Sequence, residues 1–267
     1  MVQVVTLADA FFAVLPAAGL FFWAYGRYDG LFRDNVVFLF FIGGLLAGGF
    51  LGIFSLFAFV SASGPLILLA LVLIALLVPI TLVAAINRRK WQGDRHSVFN
   101  GGALGLGTAV MMALTSLYYR SRLLGDEALV TNAGHARAFG PPSPADLDQF
   151  ARDHTFTLPD MGQAFVLAAG LALIVFALGL FAGDAVRRRK QIGGAFVMTA
   201  VFLAPAIFLE ELVQDWRLHA GGEWLWTLLL LAYGAIIAFF AERRLMPEGL
   251  TDEGRRFRRR ARRKAME

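Results

Sequence analysis

The acidic and imidazole side chains between residues 210 and 223 are of types that could do chemistry together. The segment PAIFLEELVQDWRLHAGGEW contains Glu210 and Glu211 and, further on, His219 and Glu223. Carboxylate and imidazole groups are ligands that zinc accepts in proteins. His219 and Glu223 are four residues apart and would share one face of a continuous helix. A zinc or proton site on these four residues is therefore one interpretation.

The same segment also fits a hydrated rim of acids at a membrane surface. The glycine pair at 221–222 interrupts a helix before Glu223. A spanning helix of about 20 residues that starts at Ile192 would place Glu210 at the outer interface. Charge is cheaper there than in the bilayer centre. We favour the rim, with the zinc site as the alternative.

Other catalytic signatures are absent from the sequence. It contains no cysteine, no HExxH zinc motif, no GxSxG nucleophile motif and no glycine-rich phosphate loop. The run GALGLG lies within an apolar segment and does not follow a strand, so it is not a nucleotide fingerprint.

The composition predicts that membrane helices must position any site. Of the 267 residues, 58% are hydrophobic and 17% are charged, which favours lipid over water as the solvent. Runs of roughly 20 apolar residues suit membrane crossing. We predict seven spans, at about 4–25, 36–60, 66–86, 98–119, 161–186, 192–213 and 224–241. The predicted fold is an all-α, polytopic transmembrane bundle covering residues 1–242, with an extracytoplasmic loop at 120–159 and a basic cytoplasmic tail at 243–267.

The distribution of basic residues predicts the orientation of this bundle. With the N-terminus outside, twenty of the 25 Lys and Arg residues fall on the cytoplasmic side, as the positive-inside rule requires. We expect the clustered ones to set the orientation and to contact anionic lipid headgroups: Arg88, Arg89, Lys90, Arg187, Arg188, Arg189, Lys190, Arg255, Arg256 and Arg258. Clustered arginines also bind RNA, but we favour lipid.

Glycines recur at intervals of four in several predicted spans. Small residues at this spacing let two helix backbones approach closely. We therefore expect helix packing, within the chain before any role in dimerisation or a substrate groove, at Gly44, Gly48, Gly52, Gly101, Gly105 and Gly107.

The segment 79–113 carries a resemblance to a known family. It contains Pro79 in an apolar span, the basic loop Arg88-Arg89-Lys90 and the glycine-rich helix SVFNGGALGLG. Together with WAYGRYDGLFRDNVVFLFFIGG at 23–44, it resembles the PrsW family of intramembrane proteases, related to the CAAX-processing and bacteriocin-protection membrane proteases. The resemblance implies a helical membrane fold. It also implies paired glutamates and later histidines that hold a metal or activate water.

This chain departs from the family at the acidic positions. Leu82 and Val83 stand where the glutamate pair is expected, and Met112 stands where a second motif has its glutamate. None of these side chains supplies a carboxylate that could ligate zinc or accept a proton from water. We therefore expect a degenerate, non-catalytic prokaryotic member in the plasma membrane that binds a membrane partner or a transmembrane segment, with no cofactor.

Two alternatives stay open. An active intramembrane metalloprotease would place zinc on Glu210, Glu211 and His219, out of the family's chain order. A transporter or channel would need polar residues at mid-membrane on several spans, and the second to fifth spans offer only Ser and Thr there.

Overall fold

A computed structural model describes residues 7–28, 32–61, 65–87, 96–115, 158–214 and 222–249. This part of the chain is all-helical, as predicted, and contains no strand. Its seven helices are α1 (Leu7–Gly26), α2 (Asp34–Ser61), α3 (Pro65–Ile86), α4 (Ser97–Thr115), α5 (Leu158–Arg187), α6 (Gln191–Gln214) and α7 (Gly222–Gly249). Most of the predicted loop at 120–159 and the tail beyond Gly249 lie outside the described residues.

Three helical stretches in the described residues are long and apolar enough to cross a membrane. They are Asp34–Phe54, Ser97–Thr115 and Phe165–Arg187. Shorter apolar stretches of α1, α3 and α6 cover Val14–Gly26, Val72–Ile86 and Gln191–Phe202. The chain therefore has the helices of a membrane protein.

Helix α7 is longer than the seventh predicted span. The apolar run stops at Ala241, but the helix continues to Gly249. Leu245 and Met246 are buried against the rest of the bundle, and this packing stabilises the helix through the charged sequence that follows the run. The helix therefore extends past the apolar run from which the span is predicted.

Helix α4 forms the centre of the bundle. In its apolar stretch 83% of the residues are buried, against 28% for α2 and 61% for α5. The Tyr25 hydroxyl of α1 donates a hydrogen bond of 2.5 Å to the Phe99 carbonyl of α4. Helices α2 and α5 contact α4 through glycines, described next.

The spaced glycines lie where α2 and α5 approach α4. A Cβ added at Gly48 would lie 2.8 Å from the Cα of Thr108, and one added at Gly44 would lie 2.9 Å from its amide nitrogen. On the other side of α4, a Cβ at Gly179 would lie 2.9 Å from the Gly101 carbonyl carbon. Any side chain at these positions would meet backbone rather than a movable side chain. Gly105 and Gly107 of the predicted set contact backbone in the same way, whereas a Cβ at Gly52 would lie 2.8 Å from the Cβ of the Thr115 side chain.

Several contacts bring helix ends together at one end of the bundle. The start of α4 at Ser97 lies against Gly183, near the end of α5. The side chain of Gln191, at the start of α6, donates a 3.3 Å hydrogen bond to Asn87, just after α3. The turn after α1 meets the later part of α7 through Tyr28 and Glu242. We call this the charged end of the bundle.

Candidate functional site: an apolar core and a charged helix junction

The positions at which the family resemblance expects acids lie in an apolar core. Leu82 is fully buried, and Val83 and Met112 are buried beside it in one cluster. Other members of the cluster come from α2, α3, α4, α5, α6 and α7: Leu51, Ile74, Val78, Ile86, Leu104, Ile174, Leu178, Ala182, Val186, Met198 and Leu230. Here apolar side chains occupy the space that a catalytic centre would need.

The acidic candidates of the sequence lie mostly beyond what the structure describes. Glu210 and Glu211 fall within α6, and Glu223 falls within the first turn of α7, but only their backbones are described. His219 lies outside the described residues. Among the described residues no three His, Cys, Asp or Glu side chains are grouped so that they could hold a metal ion. The structure therefore does not bring the four candidates together, nor does it separate them.

The basic candidates at the end of α5 form ion pairs with one aspartate. Arg187 and Arg188 both contact Asp184, and the Arg188 Nε to Asp184 Oδ2 distance is 2.8 Å. Lys190 is exposed at the start of the next turn. The loop with Arg88, Arg89 and Lys90 and the tail with Arg255, Arg256 and Arg258 lie outside the described residues.

Arg189 ends α5 in the left-handed backbone region. Its φ is 56°, and glycine is the usual residue there. The Arg189 N–H donates to the Val186 carbonyl at 3.1 Å, and the Lys190 N–H donates to the Ala185 carbonyl at 2.8 Å. This pair of hydrogen bonds is the Schellman motif, which stops α5 and turns the chain into α6.

A buried glutamate joins the first and last helices at the charged end. Glu242 of α7 is 1% exposed, and its Oε1 accepts a 2.7 Å hydrogen bond from the Tyr28 hydroxyl. The Arg27 guanidinium lies 3.7 Å from the same oxygen and is 46% exposed. Glu242 Oε2 accepts no hydrogen bond from any residue that the structure describes. The junction is therefore a buried carboxylate with a neutral donor on one side and a half-exposed cation on the other.

Aromatic rings pack around this junction. The Tyr28 ring lies 5.6 Å from the Phe99 ring, and Phe32 stacks on Phe99 at 5.5 Å. Tyr25 lies 5.3 Å from Phe32. These rings pack Tyr28 and Phe32, on either side of the turn after α1, against α4, and the edge-to-face contact with Phe99 helps to hold the Tyr28 ring beside Glu242.

A lateral groove lies between α1 and α5, next to the same junction. Its volume is about 280 Å³, and its lining residues are Pro16, Gly19, Leu20, Trp23, Phe165, Ala169 and Leu173. The Arg27 guanidinium lies over the Trp23 ring, 4.1 Å from its centroid. The groove is thus apolar along its walls and has a cation at the Trp23 end.

Neither the junction nor the groove was found from the sequence. The predicted membrane domain ends at residue 242, and the prediction gives the Glu242 carboxylate no role. Arg27 enters the prediction only in the count of basic residues that sets the orientation. The sequence feature that could have pointed to the junction is Glu242 itself, an acidic residue next to the basic residues of the predicted cytoplasmic side. A carboxylate at such a position can pair with an arginine from a neighbouring helix.

The fold and these two features define an all-helical protein of the membrane type, with an apolar core and a charged junction of its first and last helices. Comparison with protein-family models, with curated proteins and with solved structures found no match.

Proposed function

We propose that the chain is a seven-span plasma-membrane protein with its N-terminus outside and the charged end of the bundle in the cytoplasm. Three helices have the length and apolarity to cross a bilayer, and four more pack against or beside them. The charged end carries Arg27, Arg187 and Arg188, which agrees with the positive-inside rule. A reporter enzyme fused to the C-terminus is expected to be active in the cytoplasm. Activity on the outer side would contradict this orientation.

We further propose that the protein resembles PrsW proteases in architecture but does not cut its partner. The observation that carries this proposal is the burial of Leu82, Val83 and Met112 in one apolar cluster. A hydrolytic site needs room for water and groups that ionise it. The packed core offers neither at these positions. The role that we propose for such a bundle is to bind a membrane partner through a transmembrane segment.

The exposed face of α6, which points away from the bundle, is the surface to which we assign the partner segment. Ile192 is 90% exposed, and Phe196 and Val197 are exposed on the same face. A Cβ at Gly193 would meet nothing within 4 Å, and Ala200 is also exposed. Small residues beside large ones give a helix surface into which a second helix can pack without backbone rearrangement.

Metal analysis of the purified protein tests the absence of catalysis. We expect no stoichiometric zinc in the unaltered protein and no change on Glu211→Ala. Zinc in a one-to-one ratio that is lost on Glu211→Ala would favour the metalloprotease built on Glu210, Glu211 and His219.

Photo-crosslinking in intact cells tests partner binding. A benzophenone amino acid placed at Phe196 of α6 is expected to give one discrete polypeptide adduct of uncleaved length. The same probe at Phe50, which is exposed on α2, serves as the control and should give none. Equal adducts from both positions, or a shortened partner, would contradict the proposal.

A further inference from the structure

The groove between α1 and α5 is short, apolar and open on one side. Pro16 and Trp23 mark its extent along α1, which is about 10 Å at 1.5 Å per residue. Its volume is about 280 Å³, and its walls are formed by aliphatic and aromatic side chains. A hydrocarbon chain complements such walls, because it needs no hydrogen-bond partner there.

The direction of the groove matches that of a lipid in the cytoplasmic leaflet. Trp23 is one turn before the end of α1, and Arg27 follows that end. Tryptophan and arginine mark the headgroup level of a bilayer. From there the apolar walls run towards Pro16, nearer the middle of the helix. An amphiphile would lie with its head at Arg27 and its chain along Leu20 and Gly19.

The charge at the mouth of the groove is positive and is held in place. The Trp23 ring supports the Arg27 guanidinium at 4.1 Å, and Glu242 Oε1 lies 3.7 Å from its Nη1. Among the described residues Glu242 is the one carboxylate that contacts this guanidinium, and the guanidinium is half-exposed towards the headgroup layer. Guanidinium groups bind phosphate through paired N–H donors. Phosphate therefore complements this end of the groove.

We propose that the α1–α5 groove binds one anionic glycerophospholipid, with an acyl chain in the groove and its phosphate on Arg27. The proposal depends on the membrane placement given above but not on the absence of catalysis. Glu242 and Tyr28 act as positioning residues, because they hold the α1 end and its guanidinium beside Trp23.

Quenching of Trp23 fluorescence by brominated lipids tests the proposal. The other four tryptophans, Trp91, Trp216, Trp224 and Trp226, are replaced by phenylalanine, and the chain is placed in vesicles. The vesicles contain phosphatidylcholine and either phosphatidylglycerol or more phosphatidylcholine, with bromine on the acyl chains of the test lipid. We expect an apparent affinity about fivefold higher for phosphatidylglycerol, as one basic residue at a membrane surface contributes about 1 kcal/mol.

Two substitutions separate the chain site from the headgroup site. Gly19→Leu fills the groove, and a Cβ there meets nothing within 4 Å, so the fold should tolerate it. It should lower quenching by both lipids. Gly49→Leu on α2, where a Cβ would lie 3.5 Å from the movable end of the Met111 side chain, should change nothing. Arg27→Gln should remove the preference for phosphatidylglycerol, whereas Arg244→Gln, at another exposed arginine, should keep it.

A companion variant guards against loss of folding. If Arg27→Gln fails to fold because Glu242 is left unpaired, Arg27→Gln with Glu242→Gln removes both charges and should still lack the preference. If the single-tryptophan chain fails to fold, native mass spectrometry of the unaltered protein and the two Gly→Leu variants should show one retained phosphatidylglycerol, lost only with Gly19→Leu.

Three outcomes would overturn the lipid site. These are equal quenching by the two lipids in the unaltered groove, no effect of Gly19→Leu, or an effect of Arg244→Gln equal to that of Arg27→Gln. If neither brominated lipid quenches Trp23 fluorescence, and a photo-crosslinking amino acid at position 19 gives a polypeptide adduct, the groove binds a protein segment instead. If the protein did not span the membrane, Trp23 would be quenched by neither lipid and no vesicle insertion would occur, which distinguishes failure of the placement from failure of the site.

Discussion

The Tyr28 hydroxyl donates a 2.7 Å hydrogen bond to Glu242 Oε1 across 214 positions of sequence. This contact joins the turn after α1 to α7, so it closes the bundle between its first and last helices. Both side chains are buried, and Arg27 is the cation beside them. The junction therefore links the contact between α1 and α7 to the position of Arg27, beside the α1–α5 groove.

Removal of the Tyr28 hydroxyl should destabilise the bundle. Tyr28→Phe keeps the packed ring and leaves Glu242 Oε1, among the described residues, with Arg27 at 3.7 Å. We expect a loss of about 1.5–3 kcal/mol, the range for hydrogen bonds to charged groups. The measurement is thermal unfolding in detergent micelles. Tyr233→Phe is the matched control, because that hydroxyl donates a 2.7 Å bond to the neutral Val201 carbonyl and is only partly buried. A larger loss for the control would contradict the importance of the junction.

The ion pair between Arg27 and Glu242 should show strong coupling. Arg27→Gln leaves a buried carboxylate without its cation, and removal of one partner of a buried pair is more destabilising than removal of both. Arg27→Gln with Glu242→Gln should therefore be more stable than Arg27→Gln alone, by about 1–2 kcal/mol once the exposure of Arg27 is allowed for. A double-mutant cycle in micelles measures this coupling. Additive effects would mean that the 3.7 Å contact carries no energy.

Replacement of glycine by alanine should have opposite effects on stability at a buried position and at an open one. Gly48→Ala places a methyl group 2.8 Å from the Thr108 Cα, which α2 and α4 can relieve only by moving apart. We expect a loss of about 1–3 kcal/mol, typical of overpacking. Gly193→Ala, in open space, should instead stabilise α6 by about 0.5–1 kcal/mol. Similar unfolding midpoints for both variants would argue against close backbone packing at Gly48.

Much of the fold follows from the sequence because membrane helices leave a simple signal. Apolar runs of the right length predicted all seven helices, and the four-residue glycine spacing pointed to positions where α2, α4 and α5 approach. The extension of α7 to Gly249 does not follow from the apolar run, because Leu245 and Met246 are buried by tertiary contacts that no local pattern encodes. The pairing of Tyr28 with Glu242 was also missed. It depends on how α1 meets α7, and a single sequence does not contain that information.

Replacement of Arg189 by glycine should stabilise the turn between α5 and α6. Its φ of 56° disfavours a residue with a side chain by about 1–2 kcal/mol, and glycine adopts this region readily. Arg189→Gly should therefore raise the unfolding midpoint. Arg189→Ala removes the same charge but keeps the backbone cost, so it should leave stability near that of the unaltered protein. If alanine and glycine stabilise equally, the gain comes from the charge and not from the backbone.

The apolar core should reject the acid that the family resemblance places there. Met112 is buried in the cluster with Leu82 and Val83, and a carboxylate would have no described polar partner. Met112→Glu should unfold the bundle or lower its stability by more than 3 kcal/mol, as expected for an unpaired buried charge. Met112→Leu nearly conserves volume and should cost less than about 1.5 kcal/mol. Unfolding midpoints and zinc content are measured together. A folded Met112→Glu variant that binds zinc would mean that a hydrated catalytic cavity survives beneath these residues, and the non-catalytic assignment would then be wrong.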